Sequence, residues 1–190
     1  GYEIKVIPYG TPVTDRELAG VDLVVVLPVI DYPIAGLADG MYDASWTPDG
    51  IAAVDKYLRE GGRVLVTNSA NRLKFFNSIL DENEDYLDLN ELTREWGVEF
   101  TDAGTGSATI PTNETGLVEG IPEIILTPNN AVRFTLRDGQ VLAGDKEAAY
   151  LAQIQIGKGE VIVCGDLTIL GDYDNGTLNP LLVNALVHWE

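Results

Sequence analysis

Few side chains in this sequence have the type and spacing for chemistry. Ser69, with Asn68 and Asn71 beside it, follows an apolar run, and a serine becomes a nucleophile only when a base stands next to it. The single histidine, His188, lies near the other end of the chain, so an aspartate or lysine is the alternative base. A turn-forming serine would need neither, and Asn68 and Asn71 suit a polar pocket as well as a turn. Asp166, Asp172 and Asp174, together with Asn175 and Asn179, follow another apolar run. Hard cations such as Ca2+ take several carboxylate and carbonyl oxygens, and the same residue types make Asx turns. Asp172-Tyr173-Asp174-Asn175-Gly176 misses the EF-hand pattern because its glycine comes one position early. The candidate ligand-binding residues are thus Asn68, Ser69, Asn71 and Asp166, and the candidate metal ligands are Asp172 and Asp174.

Cys164 is the only cysteine, which excludes an internal disulfide framework and a multi-cysteine zinc site. It ends the apolar run Val161-Ile162-Val163-Cys164 and reads as a small core residue, since a reactive thiol needs exposure and positive neighbours. Tyr32, Tyr42 and Trp46 lie near Asp31, Asp39 and Asp43 in a long loop. Exposed, they would make a sugar or protein contact surface; Trp46 could equally pack against the helix that follows.

The elements that must position these groups read as an alternating α/β chain. Its 190 residues, 45% hydrophobic and 22% charged, suit one domain over 1–190 with a sizeable core. The formal charge of −18 argues against nucleic acid and anionic membranes as partners. It fits a cationic partner, bound divalent ions, high-salt solubility or plain self-repulsion. No apolar run is long enough for a transmembrane segment. Ile4–Ile7 reads as a short strand, and Thr14-Asp15-Arg16-Glu17 has capping-box spacing for one helical turn. Val21–Leu27 is a continuous β-branched run, the mark of a strand covered on both faces. Thr47-Pro48 opens a helix with Ile51, Val54 and Leu58 on one stripe, stopped by Gly61-Gly62 before the strand Val64–Thr67. Strand, helix and strand at this spacing make a βαβ unit and a parallel sheet.

A further helix is expected over Asn71–Leu80, and another carries Leu89, Leu92 and Trp96 up to Gly97. Val98–Phe100 is short and β-like, and 101–113 reads as a polar surface loop. Val132–Leu136, Gln140–Ala143, Ala149–Ile156 and Val161–Cys164 read as strands, the last two joined tightly through Gly157-Lys158-Gly159. Asn179-Pro180 opens a closing helix with Leu182, Leu186 and Trp189 inward.

Several pieces, in this order, resemble the type 1 (class I) glutamine amidotransferase-like fold in its non-catalytic branches. They are Leu18-Ala19-Gly20-Val21-Asp22-Leu23-Val24-Val25, Tyr57-Leu58-Arg59-Glu60-Gly61-Gly62-Arg63-Val64-Leu65-Val66, and Leu89-Asn90-Glu91-Leu92 before Trp96-Gly97-Val98-Glu99-Phe100. Gly157-Lys158-Gly159-Glu160-Val161-Ile162-Val163-Cys164-Gly165-Asp166 is similar as well. The resemblance implies a three-layer, flavodoxin-like, mostly parallel sheet with an antiparallel C-terminal hairpin. Relatives of this kind occur in surface-anchored or secreted proteins, transport-associated subunits and the intraflagellar-transport scaffold, and many bind partners or sugars. An extracytoplasmic or membrane-associated setting, within a larger parent chain, is implied with it.

The family's chemistry does not carry over. Its enzymes place a cysteine between glycines where this chain reads Asn68-Ser69-Ala70-Asn71. His188-Trp189-Glu190 has the spacing of their His-x-Glu but falls at the far end of the closing helix. The expectation is a non-enzymatic domain that binds a protein or carbohydrate ligand, with no required cofactor. Its rival is a hydrolase using Ser69 or an aspartate-held metal. The resemblance also aligns Gly1–Val6 with the family's second strand, so a strand–helix unit is expected to be missing. Its place, between the second and third strands in flavodoxin-like order, would be filled by a later strand or a second polypeptide. Ala149–Ile156 is the internal candidate, although its tight link to Val161 favours an antiparallel partner.

Overall fold

The computed structural model describes residues 3–8, 11–28, 46–69, 89–101, 109–126 and 130–167. One helical turn, α1 (Asp15–Leu18), follows Thr14 in an extended conformation. The capping-box residues meet in another way than expected. The Thr14 hydroxyl donates to the Glu17 carboxylate, and that bond is the main reason the Glu17 carboxyl sits below its usual range. The Glu17 and Leu18 amides close the turn on the Thr14 carbonyl at 3.0 and 3.2 Å.

Strand β1 (Val24–Val26) is joined to β2 (Arg63–Thr67) through helix α2 (Pro48–Arg59). Thr47 caps α2 by accepting the Gly50 amide on Oγ1 at 3.1 Å. Pro48 then stands where the missing N–H has no partner to lose. Val54 and Leu58 are fully buried and Ile51 partly so, which confirms the single apolar stripe. The chain leaves the helix at Gly61, whose φ of +115° is open to glycine and strained for other residues. β1 and β2 pair in parallel, from Val24 on Val64 to Val26 on Val66, completing the βαβ unit.

The later strands are β3 (Val98–Phe100), β4 (Thr109–Pro111), β5 (Glu123–Ile125), β6 (Phe134–Leu136), β7 (Gln140–Gly144), β8 (Ala149–Ile156) and β9 (Gly159–Cys164). Helix α3 (Leu89–Thr93) and a 3-10 turn (Arg94–Trp96) precede β3, and Gly97 closes them at φ +79°. The main sheet runs β1-β2-β9-β8-β6-β3, with β7 also on β8. β1, β2 and β9 are parallel, while β8 is antiparallel to β9, β7 and β6, and β3 is antiparallel to β6. The α/β class therefore holds, with a mixed sheet in which antiparallel pairing extends beyond the β8–β9 hairpin.

One face of the sheet packs Val64, Val66, Val161 and Val163 against Val54 and Leu58 of α2 and against Leu92 and Trp96. On the other, Leu65 and Ile162 meet Val118, Ile124 and Leu126. The β4–β5 ribbon belongs to this second layer, and β4 corrects the expectation of loop throughout 101–113. Thr109–Pro111 is short and polar by sequence, and it becomes a strand because Glu123–Ile125 supplies the backbone partners.

Ile4–Ile7 is a second correction. Residues 3–8 form no strand, and Ile4 and Val6 are exposed. Backbone groups there have no neighbouring strand among the described residues, so local β propensity goes unrealised. Ala149–Ile156 does not fill the expected gap, since it lies beyond β9, away from β1. The expected helices over Asn71–Leu80 and at the C-terminus lie outside the described residues. Among those described, no helix is long and apolar enough to cross a membrane.

Candidate functional site

The parallel strands β2 and β9 end side by side, with Thr67 opposite Cys164. Carboxyl ends of parallel strands are where open α/β sheets place ligands. The ladder continues past both strands: the Asn68 amide donates to the Cys164 carbonyl at 3.1 Å, and the Leu167 amide to the Asn68 carbonyl at 2.7 Å. Asn68, Ser69 and Asp166 are thereby brought together, and all three are buried.

A residue that sequence reasoning missed links them. Asn130, 1% exposed, accepts the Ser69 hydroxyl on Oδ1 at 2.8 Å and donates from Nδ2 to Asp166 Oδ1 at 2.5 Å. Its amide thus bridges the ends of two strands from a third segment of chain. The only signal in the sequence is an asparagine pair ahead of Ala131-Val132, which reads as an ordinary turn. Asn68 turns its own Oδ1 back to accept the Ser69 amide at 2.8 Å.

Gly165 sets how closely that third segment approaches. The Val132 amide donates to the Gly165 carbonyl at 2.7 Å, and the Gly165 amide to the Tyr150 carbonyl at 2.9 Å. A Cβ on Gly165 would lie 2.0 Å from the Val132 carbonyl oxygen, so only a glycine allows the backbones to touch here. The absence of a side chain at 165 puts Asn130 within reach of Asp166.

This arrangement orients groups better than it moves protons. Among the described residues, the hydroxyl of Ser69 meets an amide oxygen, a very weak base, and that amide in turn meets the Asp166 carboxyl. Nucleophilic activation needs a base on the hydroxyl itself. Cys164 is fully buried, its thiol pushed up to about 12 by desolvation, and its Sγ donates to the Asp166 carbonyl at 3.4 Å. Neutral at physiological pH, it packs as a core residue, as expected.

Among the described residues, no group of three or more His, Cys, Asp or Glu side chains is placed to hold a metal ion. Asn71, Asp172, Asp174, Asn175, Asn179 and His188 lie outside the described residues, as do Tyr32 and Tyr42. Trp46 is placed, and it corrects the contact-surface alternative for that residue. Its ring packs against the α2-side core with its indole nitrogen buried, and its amide donates to Glu91 Oε2 at 3.1 Å.

No protein-family model matches the sequence, and no curated protein does. Solved structures do share the fold. The mmIFT52 N-terminal domain is similar over 93% of this chain and 80% of that one, with a TM-score of 0.65 and 14% identity. A cytoplasmic protein from Salmonella typhimurium LT2 is similar over 93% and 75%, with a TM-score of 0.60 and 15% identity. A β-galactosidase from Bacillus circulans sp. alkalophilus matches 87% of the chain at a TM-score of 0.51 and 14% identity. The chain spans only 22% of that enzyme. At these identities the likeness is one of fold, and no residue's role comes with it.

Proposed function

We propose that this chain is a non-catalytic binding domain of the amidotransferase-like kind, presenting the carboxyl end of its parallel strands to a protein or carbohydrate ligand. The observation that carries the reading is the Ser69 hydroxyl held, among the described residues, by the Asn130 amide rather than by a base. Buried and linked on to Asp166, that network serves to lock three chain segments beneath a binding surface. A fully satisfied buried polar network rigidifies what it joins, and rigid support is what a recognition surface needs. The acidic balance of the chain favours ligands with positive charge.

The test is hydrolysis of glutamine, p-nitrophenyl acetate and p-nitrophenyl β-galactoside by the wild-type chain and by Ser69→Ala, with circular dichroism to confirm folding. Neither protein is expected to turn over any of the three above buffer. Turnover by the wild type that vanishes in a folded Ser69→Ala would overturn the reading and install the hydrolase in its place. A thermal-shift screen of neutral oligosaccharides and basic peptides provides the positive arm, through preferential binding to the native state.

A further inference from the structure

We draw no further inference here: the strongest candidate, the apolar surface patch that Val25 of β1 and Leu27 just beyond it leave half-exposed beside the buried Leu65 of β2, carries nothing, because nothing in the structure shows what covers it.

Discussion

Replacing Gly165 by alanine tests whether close backbone contact assembles the carboxyl-end cluster. The new Cβ would meet the Val132 carbonyl oxygen at 2.0 Å, and real Cβ atoms essentially never approach within 3.0 Å. The 130–132 segment must therefore retreat by about 1 Å. Overpacking of this kind costs about 1–3 kcal/mol. The 2.7 Å bond from the Val132 amide to the Gly165 carbonyl is stretched at the same time, at about 1 kcal/mol for a typical backbone bond. Together the loss is about 2–4 kcal/mol. For a chain of this size each kcal/mol lowers Tm by about 2–4 °C, so a fall of roughly 4–16 °C is expected. Urea unfolding with an unchanged slope measures the loss, and hydrogen exchange at the Val132 amide locates it. Gly120→Ala is the control: it imposes a side chain at φ +75° but meets nothing within 4 Å, so it should leave Val132 exchange unaltered. A Gly165→Ala protein within about 0.5 kcal/mol of wild type, with Val132 still protected, would refute the argument. Asn130 would then owe its position to something other than the glycine.

Cys164 gives a pH-dependent expectation. Burial holds its folded-state thiol at about 12, whereas an unfolded thiol ionises near 8.5. The stabilisation is complete below that lower value and is lost as pH rises toward 12, at about 1.4 kcal/mol per pH unit. Urea midpoints measured from pH 8 to 11 should fall less steeply in Cys164→Ala than in wild type, and parallel slopes would contradict the burial. If Asp172 and Asp174 hold calcium, millimolar CaCl2 raises Tm in wild type and leaves Asp172→Asn unchanged; no rise in wild type removes calcium from consideration.

The sequence by itself determined the elements whose causes are local. Thr47, Pro48 and the Ile51, Val54, Leu58 stripe define α2 within its own dozen residues, and Gly157-Lys158 fixes the β8–β9 hairpin across a two-residue turn. The burial of Cys164 followed from the apolar run that contains it. Candidate residues at strand ends were legible for the same reason, because Asn68, Ser69 and Asp166 follow runs that could only be buried strands. Only the tertiary structure supplied Asn130, which lies 61 residues from Ser69 and 36 from Asp166 and meets both because Gly165 lets two backbones touch. Tertiary pairing likewise made a strand of Thr109–Pro111 and denied one to Ile4–Ile7, although the second has the stronger β character. A strand exists when another backbone is there to bond it, and that partner is chosen by the packing of the whole chain. β1 shows the same division: the apolar run Leu23–Leu27 specifies a strand, and the sheet supplies its partner, β2 among the described residues.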